Sequence, residues 1–176
     1  HIFFSSSKNI VILDKDGDIL LNDFFKNNEK TIEKNIMSIK RNWKYYQWRY
    51  FDNPYSQSYV AILKTNNKIK GLIAISINSN EKIETMEIKD LVTTNKSDVS
   101  SLLGWATKLA IKKKVATLNI WSDKFAINNL KKSIFYKNGF FRHGRKTKKT
   151  LIIGILNKKL KNKKIYLELR KYLERI

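Results

Sequence analysis

Few side chains in this sequence carry reactive groups, and their spacing limits what they can do. There is no Cys, so disulfides and thiolate metal sites are excluded, and the only two His, His1 and His143, stand too far apart in sequence to suggest a metal cluster. His143, in "FFRHGRK", has the ordinary pKa of a general base at neutral pH, but its neighbours are Arg142 and Gly144, so no adjacent carboxylate orients its ring. It reads as a surface residue. Asp14, Asp16 and Asp18 alternate like the start of a calcium loop. Ile19 then stands where the turn Gly would follow, and Phe25 where the closing Glu would bind, so a turn is the better reading. Glu87 and Asp90 remain as carboxylates able to accept a proton. Three residues apart on a regular strand they would face opposite ways, so at most one points into a cleft, and the alternative is surface charge among the lysines.

The elements that must hold these groups follow from hydrophobic period and turn chemistry. "NIVILDKDGDILLN" has two short apolar runs around a turn cluster, a hairpin or strand-turn pattern. From Asn22 to about Tyr50, Phe24, Phe25, Ile32, Ile36, Ile39, Trp43 and Tyr46 recur near helical spacing with no Gly or Pro between them, predicting one or two amphipathic helices. Pro54 then favours an extended start, and "SYVAILKTNNKIKGLIAISI" reads as a hairpin turning at "TNNK". "KIETMEIKDLVTT" supplies a third strand. In "VSSLLGWATKLAIKKK", Val99, Leu102, Leu103, Ala106, Leu109 and Ala110 share one helical face. Next come a strand "ATLNIW", a helix "FAINNLKKSIFYKNG" closed by Gly139, strands "FFRHGR" and "KTLIIGIL", and a basic C-terminal helix "KIYLELRKYLERI". On this reading the aromatics of "YYQWRYFDNPYSQSYV" are mostly packing between a helix end and a strand, and Trp43, Trp48, Trp105 and Trp121 belong to the core.

This order, α+β in its first half and α/β in its middle, resembles the GNAT superfamily of acyl-CoA-dependent N-acyltransferases over most of the chain. Two stretches carry the resemblance. "AINNLKKSIFYKNGFF" is similar to the family's fourth-helix signature, with Asn128, Gly139 and Phe140 at the corresponding places, and "WKYYQWRYFDNPYSQSYVAIL" is similar to the "WRY…P…Y" segment of a subgroup linked to cell-surface polysaccharide synthesis. The resemblance implies a mixed central sheet of about six to seven strands flanked by helices. It also implies one domain over residues 1–176, of a kind that in the subgroup can be one lobe of a longer chain; the sequence opens on His1 rather than Met, so the true N-terminus is expected to lie upstream.

What the resemblance implies for chemistry is acyl transfer from acetyl-CoA or another acyl-CoA to an amine of a small acceptor such as an amino sugar. The cofactor would lie against Val92, Asn95, Lys96, Ser97 and Asn128. The family's phosphate loop is glycine-rich, because only Gly lets a diphosphate approach the backbone donors of a helix N-terminus closely. Here the loop is "TTNKSDVSS", with no glycine between Gly71 and Gly104. Ser97 or Asp98 is suited to cap the helix itself, and Asp98 adds a negative charge near the anion site. The family's thiolate acid, a Tyr four before the Gly, is Phe135, leaving Tyr136 next to it as the acid candidate. Glu87 and Asp90 are the base candidates.

Charge points to a second class of partner. Net charge is +21, and residues 89–176 hold 23 Lys/Arg against 5 Asp/Glu, whereas residues 1–88 hold 13 against 10. Such a half attracts polyanions, so an acidic partner or nucleic acid is the alternative, with a non-catalytic scaffold lobe as a third reading. The runs "RHGRKTKK" and "KKLKNKK" lack the interleaved aromatics of a single-strand stacking groove. No apolar run reaches the ~20 residues that span a bilayer, and "IFFSSS" is too short for a signal core, so the expected setting is cytoplasmic.

Overall fold

The computed structural model describes residues 9–14, 18–32, 41–80, 83–93, 95–122, 135, 137–143 and 150–155. Seven strands form one mixed sheet: β1 Ile10–Leu13, β2 Gln57–Thr65, β3 Lys68–Asn80, β4 Ile83–Thr93, β5 Thr117–Ser122, β6 Phe141–His143 and β7 Thr150–Ile155. Their spatial order is β1-β2-β3-β4-β5-β7-β6. All neighbours are antiparallel except β4 and β5, which run parallel and are joined through helix α3, Lys96–Lys112. The α+β class and the order of the strands along the chain are as the sequence predicts. The "KIYLELRKYLERI" segment and most of "FAINNLKKSIFYKNG" lie outside the described residues.

Local chemistry accounts for the elements. Asn66 and Asn67 both take positive φ, 50° and 59°, which makes the two-residue β2–β3 turn that matches strand twist. Lys15, Asp16 and Gly17 of the "DKDGD" cluster lie outside the described residues, but the segment beyond it is helical and not the second strand of a hairpin. The second apolar run, Ile19 to Leu21, opens helix α1, Asp18–Ile32, because Leu21, Phe24 and Phe25 at helical spacing find a buried face. Helix α2, Trp43–Tyr46, is capped by the Asn42 side chain, which accepts from the Tyr45 amide at 2.9 Å. It continues into a π-helical turn, Gln47–Phe51, where the Asp52 amide reaches the Gln47 carbonyl at 2.9 Å.

Alternation along β2, β3 and β4 divides the core between the two sheet faces. Ile73, Ile75, Met86 and Ile88 pack with Val99, Leu102, Leu103 and Ala106 of α3, and with Phe135 and Phe140. Val60, Ile62, Leu72, Ala74 and Val92 on the opposite face pack with Leu21, Phe24 and Phe25 of α1 and with Trp43, Tyr46 and Tyr50. The opening aromatics therefore mostly wedge the helices onto the sheet, each buried ring contributing roughly 1.5–3 kcal/mol. Trp48 is the correction. It is 69% exposed and Tyr55 is 95% exposed, because the wider π-helical turn carries Tyr50 inward and leaves Trp48 on the outside.

Gly139 takes φ 82°, and the Phe140 amide donates back to the Phe135 carbonyl at 3.0 Å, the left-handed helix ending expected of it. Gly71 is fixed by space instead. A Cβ there would meet the Val92 carbonyl oxygen at 2.9 Å and Thr93 Cγ2 at 2.9 Å. Gly71→Ala is expected to lower stability by about 1–3 kcal/mol, read from the urea midpoint, because backbone rather than a flexible side chain must yield.

Candidate active site

The site is built by one irregularity in β4. Ile88 pairs with Ile75, but the next pair in register is Asp90 with Ala74, so Lys89 is an extra residue without a cross-strand partner. The bulge reverses the expectation that Glu87 and Asp90 face opposite ways. Glu87 sits opposite Ser76 and Asp90 opposite Ala74, and these β3 residues share one face. Both carboxylates therefore lie on the face that carries α1 and α2. The sequence held a trace of this: the residues facing α3 run Met86, Ile88, Leu91, a step of two followed by a step of three.

The two carboxylates have separate surroundings. Arg41 Nε donates to Asp90 Oδ2 at 2.9 Å, Arg41 Nη2 reaches Oδ1 at 3.4 Å, the Tyr46 hydroxyl donates to Oδ2 at 2.8 Å, and the Leu91 amide donates to Oδ1 at 3.1 Å. With both oxygens engaged, Asp90 ties the α2 region to the sheet, and Arg41, Tyr46 and the Leu91 amide already occupy it. Arg41 and Tyr46 were not legible as partners, since 49 and 44 residues separate them from Asp90. Burial opposes the Arg41 charge, but the Asp90 carboxylate outweighs it and raises the guanidinium above its ordinary pKa.

Burial, and then Asp90, also hold the Tyr46 and Tyr50 phenols above their usual value. A phenol held above its ordinary pKa costs the folded state stability once its unfolded counterpart ionises. Stability is therefore fully present below pH ~10 and falls above it, by up to about 1.4 kcal/mol per pH unit for each ring. A urea series from pH 8 to pH 11 should be flat and then decline, and Tyr46→Phe should flatten the decline.

Glu87 belongs to a polar row across four strands, Ser58, Ser76, Glu87 and Asn119, each opposite the next. Ser58 and Ser76 share a hydrogen bond at 2.9 Å, and Asn78 Nδ2 donates to Glu87 Oε2 at 3.4 Å. The Lys89 ammonium is paired with the same carboxylate oxygen. Asn119 Oδ1 is buried and accepts no hydrogen bond. Among the described residues, Glu87 is the carboxylate of this row, held between amide and ammonium donors. None of Ser58, Ser76, Asn78, Lys89 or Asn119 was marked by the sequence.

The proposed cofactor residues meet a mixed surface. Pairing of β4 with β5 ends at Ile88 and Ile120, so from Lys89 onward β4 has no partner on that side among the described residues, and the strands part at the bulge. Val92 lies on this parted stretch, with its side chain buried among the α1 and α2 residues. Asn95, not Ser97 or Asp98, is the N-cap of α3. It is extended, its side chain makes no capping hydrogen bond, and the helix begins at Lys96. Ser97 is exposed and Asp98 falls in the first turn. First-turn amides not bound by a capping side chain, beside a parted strand edge, fit a phosphate-bearing thioester, and the Asp98 carboxylate is the group opposing it. Phe135, at the place of the acid, is buried against Phe140, with ring centroids 6.4 Å apart. Asn128, Tyr136 and the Lys96 side chain lie outside what the structure describes, as do the side chains of Trp121 and His143. Among the described residues no group of His, Cys, Asp and Glu is placed to hold a metal, and no helix is long and apolar enough to cross a membrane.

No protein-family profile and no curated protein sequence matches the chain. Solved structures do. A GNAT-family acetyltransferase of Staphylococcus aureus Mu50 is 17% identical, superposes with TM-score 0.59, and is matched over 85% of this chain and 99% of its own. The PaiA N-acetyltransferase of Thermoplasma acidophilum, solved with coenzyme A, is 19% identical with TM-score 0.56, covering 83% and 98%. An aminoglycoside 6′-N-acetyltransferase of Enterococcus faecium is 12% identical with TM-score 0.59, covering 84% and 97%. The fold is that of the GNAT acetyltransferases.

Proposed function

We propose that this chain is a GNAT-fold acyltransferase-like domain that moves an acyl group from acyl-CoA to an amine of a small acceptor, with Glu87 as the base. The observation that supports it most is the bulge at Lys89. It lies where the pairing of β4 with β5 ends, next to the polar row in which Glu87 stands and where an acceptor can approach. Glu87 would take the proton of the ammonium, and the hydroxyls of Ser58 and Ser76 would orient a polar acceptor such as an amino sugar or sugar nucleotide. An acyl-CoA supplies the activated carbonyl. Val92, Asn95, Lys96, Ser97 and Asn128 would hold it, through backbone donors in the first turn of α3. Tyr136 and Asp90 remain secondary candidates for acid and base. An acidic partner for the basic half is the rival reading, and binding to mixed-sequence RNA that falls steeply with salt would favour it.

The test is isothermal titration with acetyl-CoA. Binding is expected to be weak, because a Cβ at each loop position and the Asp98 charge both hold a diphosphate off the backbone donors. Ser97→Gly with Asp98→Gly should tighten it. Since neither side chain caps the helix, the cost is the lower helix propensity of Gly, roughly 0.5 kcal/mol each relative to Ser and Asp, together with the first-turn charge of Asp98, about 0.3–1 kcal/mol. No heat from either protein would remove the acyl-CoA reading.

A further inference from the structure

We propose that Lys89 is a self-acylation site, its amine serving as an internal acceptor for the same thioester. The inference rests on the acyl-transfer reading of Glu87 and extends it to a residue that nothing in the family signature marks. Lys89 is the unpaired residue of the bulge, so its side chain is re-aimed and curls onto the face of the polar row, where its ammonium meets Glu87. It stands next to Ile88, the last β4 residue paired with β5, so a donor lying along the parted edge passes directly by it. The Lys89 side chain keeps 31% of its exposure while that of Glu87 keeps 13%, giving an accessible nucleophile held by a largely covered base. The Asn119 carbonyl, buried opposite Glu87 and unpaired, is a further acceptor for an N–H brought into this row.

The chemistry balances without an added acid. Glu87 takes one proton from the Lys89 ammonium, and the freed nitrogen attacks the thioester carbonyl carbon. The C–N bond forms, the C–S bond breaks, and the sulfur leaves with the electron pair. An alkyl thiol ionises at about pH 8.5, so thiolate is an acceptable leaving group even with Phe135 in place of a phenol. It takes the second nitrogen proton, and Glu87 releases the first to water. The products are a neutral ε-amide on Lys89 and a free thiol. Acylation also removes the positive charge that occupies Glu87, so the modified chain presents a base held only by the Asn78 amide to an external amine.

Three measurements on the full chain test this. A water-soluble carbodiimide should join Lys89 to Glu87 with loss of one water, which peptide mass mapping reads without any acyl donor. Incubation with acetyl-CoA, and separately with S-acetyl-N-acetylcysteamine, should acetylate Lys89 at least tenfold faster than the exposed Lys68 and Lys112. Glu87→Gln should erase that preference. Preference with the small thioester but not with acetyl-CoA would support the Lys89 site and remove the CoA reading. Acylation of an added amino sugar with Lys89 no faster than Lys68 would do the opposite and overturn this proposal.

Discussion

Asp90→Ala is expected to lower the unfolding free energy by about 2–4 kcal/mol. Truncation leaves the Arg41 guanidinium and the Tyr46 hydroxyl without the acceptor they share, at 2.9 and 2.8 Å. Removing one member of a buried pair costs roughly 3–5 kcal/mol, and a stranded hydroxyl a further ~1–3 kcal/mol. The sum is discounted because the Arg41 side chain is 30% exposed and can turn to water, whereas Asp90 is 9% exposed. Asp90→Asn keeps an oxygen for Tyr46 and loses only the charge, so it should cost about half as much. Urea unfolding at pH 7 reads both. A change below ~0.5 kcal/mol for the alanine variant would mean that Asp90 is not the strut that holds α2 to the sheet.

That strut also shows where sequence reasoning stops. Local rules reached the "TNNK" turn, the closing Gly139 and the buried stripe from Val99 to Ala110, because each is decided within a few residues. The Arg41–Asp90–Tyr46 cluster is decided by which strand face Asp90 takes, and that depends on one inserted residue in β4. Strict alternation placed Glu87 and Asp90 on opposite faces; the bulge at Lys89 puts them together. The α3 cap failed for a related reason. Ser97 and Asp98 have the right chemistry for an N-cap, but Asn95 is the extended residue before the helix, which begins at Lys96 and is under way before either is reached. Trp48 reads as core because it falls within a predicted element, whereas the π-helical turn carries Tyr50 inward and leaves Trp48 outside. In each case a single-residue change of register, invisible to composition, decides which side chain meets the site.

Glu87→Gln separates base from strut. If Glu87 takes the acceptor's proton, the substitution should reduce acyl transfer about 10²–10⁴-fold, the usual contribution of a positioned general base. Gln keeps the shape and can still accept from Asn78, so the acceptor's KM should change little while kcat falls. Stability should stay within ~1 kcal/mol of the parent, because Gln still offers its carbonyl oxygen to the Asn78 amide and the Lys89 ammonium, and Lys89 is exposed enough to turn to water. Thiol release from millimolar acetyl-CoA with a panel of amino sugars and simple amines provides the rate, and urea unfolding provides the control. Raising the pH should not restore the glutamine variant fully. A higher pH supplies free amine but cannot replace the aligned acceptor of the proton. The opposite pattern, with activity lost in Asp90→Asn at unchanged stability and kept in Glu87→Gln, would transfer the base to Asp90 and require Arg41 and Tyr46 to release it when the acceptor binds.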